Sequence, residues 1–215
     1  MTEAALHSIC NGIAGYYTDK VTKFGTTAFG ADWTCVATQE MRFVQLLKLC
    51  DFTAPFALND LGCGYGALLG LLDRRRGTCT VDYLGIDLSA AMVRHARRRW
   101  RGHSHSRFVT GHCSPRIAEY SVASGVFNVR LEQPPKAWTA FITATLDQLA
   151  STSSRGFAVN FVEAPPHGAP VPSGLYTTEP ERWAEYCAGR FDAEVAVIDG
   201  YGLPEFTLLV RRRHR

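Results

Sequence analysis

The apolar positions of this chain recur first at helical spacing and then in short alternating blocks. From about Thr2 to Lys23 the residues suit one helix ending near Gly25, and a Gly/Thr-rich turn, FGTTAFGADW, follows. Phe43, Leu46, Leu47 and Cys50 share one face of a second helix running from about Val36 to Cys50. After that the pattern alternates. Strands are predicted at Phe56–Leu61, Thr80–Asp87, Arg107–Thr110, Tyr120–Gly125, Gly156–Val162, Ala193–Asp199 and Glu205–Arg211. Helices are predicted between them at Ala67–Arg74, Ala90–Arg101, from Pro134 and Pro135 to about Leu149, and at Glu179–Cys187. Ser89 is placed to cap the second of these, and the two prolines suit a first helical turn.

Strands alternating with helices imply a mainly parallel sheet covered on both faces. Parallel neighbours need long crossovers, and most connections here are long enough. The last is not: Gly200–Pro204 can only join antiparallel strands. The expected fold is α/β, a seven-stranded mainly parallel sheet with helices on both faces and a C-terminal antiparallel hairpin. It is read as one domain over 1–215, with 1–53 a helical N-terminal cap and 54–215 the α/β core.

Composition narrows the classes. A 215-residue chain with 46% hydrophobic and 20% charged residues is ordinary globular material. No stretch approaches a membrane span. The opening MTEAALHSICNGIAG lacks a basic leader, so no signal peptide is expected. Seven cysteines without a Cys-x-x-Cys pair suggest neither a zinc site nor a disulfide framework, and point to a reducing cytoplasm. The formal net charge is only +3, although arginines cluster at 74–76, 94–101 and 211–215. Arg94, Arg97, Arg98 and Arg101 fall on one helical face opposite Val93, Ala96 and Trp100, an arrangement expected of a solvated outer surface. A nucleic-acid partner is therefore not favoured.

The strongest chemical signal is Asp60-Leu-Gly62-Cys-Gly64-Tyr-Gly66, between a predicted strand and helix. Alternate glycines allow a tight turn and close approach of a ligand, and the helix start that follows favours an anionic group. Three readings stay open on these residues. Gly62-x-Gly64-x-x-Ala67, with Asp87 downstream, satisfies a dinucleotide-binding fingerprint. The acidic residue two before the first glycine, with glycines at every second position, fits an S-adenosylmethionine loop. A strand-to-helix turn without a ligand is the third.

The stretches LNDLGCGYG and YLGIDLSAAMVRHA resemble the first and second motifs of the class I S-adenosylmethionine-dependent methyltransferases. The resemblance runs from about Tyr16 to Arg212 and includes the terminal hairpin, which dehydrogenases do not share. It implies a Rossmann-like fold, S-adenosyl-L-methionine as cofactor and S-adenosyl-L-homocysteine as product. It implies that Asp60, Gly62, Gly64 and Gly66 form the cofactor loop and that Asp87 accepts from the ribose hydroxyls, as an acceptor-only carboxylate can. Leu88 and Met92 would border the adenine. RFVTGHCSP departs from the family at His112, where Asp is common, and Cys113 would offer its backbone N–H. Ser124 and Gly125 would lie beneath the sulfonium. The N-terminal segment Tyr16-Tyr17-x-x-Lys20, Gly30-x-Asp32-Trp33 and Gln39-x-x-Arg42-Phe43 resembles the cap of a subset of small bacterial methyltransferases. There Tyr17 and Trp33 would cover the cofactor, and Arg42 would grip its methionine carboxylate.

Candidates for the acceptor pocket are Asn128, His167, Asp199, Tyr201 and Glu205, with aromatic surface from Tyr176, Trp183, Tyr201 and Phe206. No general base stands out, and no metal cluster is expected. The implied reaction is direct methyl transfer to an oxygen or nitrogen of a small molecule. A methyltransferase acting on protein or nucleic acid, an NAD-type dehydrogenase and a non-catalytic cofactor-binding accessory protein are the alternatives.

Overall fold

The computed structural model describes residues 2–75, 79–166 and 170–213. Helix α1 (Glu3–Phe24) begins at Thr2, whose side chain accepts from the Ala5 N–H, and ends at Gly25. A short 3-10 turn at Phe29–Ala31 leads to α2 (Val36–Leu47). The core then alternates: β1 (Phe56–Leu61), α3 (Ala67–Arg74), β2 (Val81–Asp87), α4 (Ala90–Arg99), β3 (Ser106–Thr110), β4 (Ala118–Ala123), α5 (Pro135–Ser151), β5 (Ser153–Val162), α6 (Pro180–Arg190), β6 (Ala193–Ile198) and β7 (Glu205–Arg212). Ser89 caps α4 through the Met92 N–H, and Pro135 stands in the first turn of α5.

The strands form one sheet in the order β3-β2-β1-β4-β5-β7-β6. All pairings are parallel except those of β7, which runs antiparallel to both β5 and β6. Side-chain alternation sorts the core into two layers. Phe157, Val159 and Phe161 of β5 and Phe206, Leu208 and Val210 of β7 face α1, α5 and α6. Ala158 and Leu209 face the other side, with α2, α3 and residues of α4. The period of two along a strand places Asn160 with Ala158, and Glu205 and Thr207 with Leu209. Three polar residues thus point toward α2 from a buried surface.

Trp183 and Phe206, expected near an acceptor pocket, are core residues instead. Both stack on Phe161, with centroids 5.8 and 5.5 Å away. Burying such large apolar rings contributes more to stability than exposing them in a cleft would allow. The arginine face of α4 is exposed as expected, and Arg97 also donates to the Phe108 carbonyl. Arg211 and Arg212 reach back to carbonyls of Leu49, Lys48 and Ala150, so they tie β7 to the ends of α2 and α5.

Candidate active site

The order of strands reverses between β1 and β4, and a cleft opens there at their carboxyl ends. It is lined from β1 and its loop by Asp60, Leu61, Gly62, Cys63, Gly64 and Tyr65, and from β2 by Asp87 and Leu88. Met92 of α4, Gly111 and His112 after β3, and Ser124 to Val126 after β4 complete the floor and sides. The N-terminal elements roof it with Ile13, Tyr17, Ala31, Trp33, Gln39 and Phe43.

Asp87 organises the floor. One carboxylate oxygen accepts from the Gly64 N–H at 2.8 Å and the other from the Ser89 N–H at 2.8 Å. The carboxylate therefore holds the glycine loop against the start of α4, and each oxygen keeps a further lone pair for a ligand. Burial pushes the Asp87 carboxyl up to about 6, against the pull of these two N–H bonds. It is mostly ionised at neutral pH.

Asp60 is more deeply placed and accepts from the Tyr83 hydroxyl. Burial lifts its carboxyl to about 7; the Tyr83 hydrogen bond opposes that rise and the charge of Asp87 adds to it. Two buried carboxyls, both raised above the ordinary aspartate range by burial, thus stand beside one glycine loop. Gly64 has φ +55°, and the site of its absent Cβ meets only the Met92 sulfur at 4.0 Å. Its backbone is left open to the cleft, as close approach of a ligand requires.

The roof is tied down by polar contacts. Asp32 accepts from Tyr16 at 2.6 Å and from Lys20 at 2.5 Å, linking the 3-10 turn to α1. Thr18 and Ser89 hydroxyls meet at 2.8 Å, joining α1 to the start of α4. The spaced motif Tyr16, Lys20, Asp32 is therefore a brace that orients the neighbouring Tyr17 and Trp33. Burial raises the Tyr17 hydroxyl above its ordinary range, so the ring is neutral where it lines the cleft.

The structure brings together Tyr17, Trp33, Asp60, Gly62, Gly64, Asp87, Leu88, Met92, His112, Ser124 and Gly125. It separates others. Arg42 is not free for a ligand carboxylate: its Nε donates to Glu205 at 2.8 Å, its NH1 to the Thr38 carbonyl at 2.7 Å, and its NH2 to Glu205 as well. Glu205 is correspondingly no pocket residue, being 3% exposed and bonded to Arg42 and Asn160. These partners lie 163 positions apart in the chain, on a helix and a strand that only the folded sheet opposes.

Gly66 immediately precedes α3, but the space of its absent Cβ is filled by Trp100, 2.5 Å away, so it serves packing of α3 against the end of α4 and not the cleft wall. Asp199 is exposed and outside the cleft lining. Tyr201 is occupied with Thr207 at 3.3 Å, and burial pushes its hydroxyl up to about 12. Cys113 is also outside the lining. Asn128 is buried behind Gly125 with its side-chain oxygen unpartnered among the described residues. His167 lies outside the described residues.

Gln39 of the cap motif lines the cleft from α2, while sequence reasoning missed Ile13, Phe141 and Thr145, which line it from α1 and α5. It also missed Tyr83, the partner of Asp60. No local motif marks them; they are ordinary helix-face and strand residues brought in by packing.

The comparisons agree with this geometry. The methyltransferase domain family matches residues 59–151. "Putative methyltransferase Rv1506c" of Mycobacterium tuberculosis (strain ATCC 25618 / H37Rv) is 44% identical over 166 residues, which is 77% of this chain and 99% of that protein. Among solved structures, the DhpI-SAH complex superposes with a TM-score of 0.64 at 14% identity, over 97% of this chain and 99% of that one. Magnesium protoporphyrin IX methyltransferase (ChlM) from Synechocystis PCC 6803 with bound SAM gives 0.63 at 15% identity, over 95% and 97%. At that identity the two structures speak for the fold. Family motif, sequence relative and strand order converge: the chain belongs to the class I S-adenosylmethionine-dependent methyltransferases.

Proposed function

We propose that this enzyme transfers a methyl group from S-adenosylmethionine to an oxygen or nitrogen of a small molecule, with the donor held in the cleft at the ends of β1 and β4. The observation that carries the reading is Asp87: a buried carboxylate, fixed by two backbone N–H groups, with acceptor capacity left facing the cleft. That is the chemistry a ribose diol needs. The open backbone at Gly64 and the Ser124 hydroxyl beneath the roof, unpartnered among the described residues, add two further fits.

Leu88 and Met92 would supply the apolar wall for adenine, with His112 at its edge. Tyr17 and Trp33 would cover the donor, and their ring faces suit a cationic sulfonium. The start of α3 at Ala67, rather than Arg42, would face the methionine carboxylate, since unpaired N–H groups of a helix start attract anions.

When bound, the sulfonium supplies an activated methyl group, so the protein needs chiefly to align the acceptor and exclude water. The roof serves exclusion: side chains of α1, α2 and the 3-10 turn overhang the cleft at the strand ends. A cleft overhung by the chain's own residues favours a small acceptor over an extended macromolecule. The seven cysteines without a Cys-x-x-Cys pair support a reducing, cytoplasmic setting. No described helix is long and apolar enough to cross a membrane.

A labelled-methyl screen over hydroxyl- and amine-bearing small molecules, with protein and nucleic acid as parallel acceptors, tests the reading. Transfer to a small molecule supports it. Transfer only to a macromolecule overturns the acceptor class.

A further inference from the structure

The polar residues that β5 and β7 turn toward α2 form a closed circuit with the roof. The Arg42 guanidinium stacks on Trp33, 4.1 Å from the ring centroid. Its edge is paired with the Glu205 carboxylate, whose Oε2 also accepts from Asn160 Nδ2 at 2.7 Å. The Asn160 side-chain oxygen in turn accepts from the Gly125 N–H at 2.8 Å. The circuit closes in space, because Trp33 lies against that same glycine: a Cβ on Gly125 would stand 2.6 Å from the indole carbons. Gly125 has φ +69°, so both its backbone shape and its bare α-carbon are required.

Arg42, Asn160 and Glu205 are 8%, 0% and 3% exposed. A buried, bidentate Arg–carboxylate pair is rigid, and its planar fork dictates the orientation of whatever stacks on it. Lysine would preserve the charge but neither the fork nor the stack.

We propose that Arg42 and Glu205 are positioning residues for methyl transfer. Acting through Trp33 on one side and Asn160 on the other, they set the indole roof at a fixed height over the Gly125 turn, where Ser124 and Gly125 line the cleft. The circuit spans the cap, α2, β5, β7 and the turn after β4. It therefore registers the roof against the strand ends, instead of merely fastening the cap to the core. The inference rests on the cleft being the donor site.

The test compares wild type, R42K and the double variant R42M/E205M, which removes the pair and leaves no buried unpaired charge. S-adenosylhomocysteine affinity is measured by calorimetry, melting temperature by circular dichroism, and Trp33 emission as the difference from matched W33F proteins. At a temperature where it is fully folded, R42K is expected to show red-shifted Trp33 emission and an affinity at least tenfold lower, whatever the fall in its melting temperature. The double variant is expected to show the same shift and the same loss while remaining folded, and it carries the comparison if R42K does not fold. Variants that keep wild-type affinity and wild-type Trp33 emission overturn the proposal alone. Wild-type protein that fails to bind S-adenosylhomocysteine overturns the donor-site reading and the proposal with it.

Discussion

Asp60→Asn should shift stability in a strongly pH-dependent way, increasingly in favour of asparagine as pH rises. Asp60 is 3% exposed, and burial holds its carboxyl at about 7. In the unfolded chain it titrates near an ordinary aspartate value, about 3.9. The folded form therefore binds more protons between those values, and its stability declines as pH rises through that window. Three units at about 1.36 kcal/mol each give roughly 4 kcal/mol lost by pH 8, with about 0.5 kcal/mol already lost at pH 4. Asparagine is nearly the same shape, can still accept from Tyr83, and does not titrate. Its new amide N–H carries a cost of about 1–3 kcal/mol if left unpaired, but that cost is the same at every pH. The informative quantity is thus the change in the variant-minus-wild-type difference from pH 4 to pH 8, expected near 3–4 kcal/mol in favour of asparagine. At about 2–4 °C per kcal/mol for a chain of this size, that is roughly 6–16 °C in relative melting temperature. Thermal unfolding followed by circular dichroism across the range reads it directly. A difference that does not change with pH would refute the buried, proton-holding Asp60.

Other substitutions separate the roles within the loop. Asp87→Asn should weaken S-adenosylhomocysteine binding by about 1.5–3 kcal/mol, through loss of a charged acceptor, while calorimetry on folded protein rules out global damage. Because the Asp87 carboxyl sits at about 6, wild-type affinity should fall about tenfold from pH 7.5 to pH 5 as the acceptor protonates; a flat profile would contradict an ionised Asp87 as ligand. Gly64→Ala should fold with a modest cost for its left-handed backbone, yet bind poorly, since its side chain would enter open cleft. Gly66→Ala should instead lower the melting temperature, since its methyl group meets Trp100 at 2.5 Å. Equal effects of the two glycine variants on stability would undo this division of labour.

The strand and helix blocks were legible because each carries its own periodicity and boundary residues. Ser89, Pro135 and Gly25 mark ends that the structure keeps, and the short Gly200–Pro204 link dictates the antiparallel hairpin. The floor of the cleft was legible for the same reason: Asp60 through Gly64 is one local motif, and Asp87 ends a recognisable strand. The roof was only half legible. Tyr17 and Trp33 stand out as aromatics in a spaced pattern. Arg42, however, reads as a free cation until Glu205, remote in sequence, is folded against it. Trp183 and Phe206 mislead in the opposite sense, since aromatic residues near a loop look like pocket walls until their stacking on Phe161 is known. Gly66 completes an alternating-glycine pattern, yet a tryptophan from the next helix claims its space. Long-range partners, not local propensity, decide these cases.

The central claim is that the cleft centred on Asp87 binds the methyl donor. Calorimetric titration of S-adenosylhomocysteine into wild-type and Asp87→Asn protein, with NAD as the competing ligand, tests it most directly. Stoichiometric binding by the wild type, at least tenfold weaker binding by the variant and no heat from NAD are the predicted results. Folded wild-type protein that ignores S-adenosylhomocysteine, or binds it equally well without the Asp87 charge, would contradict the account.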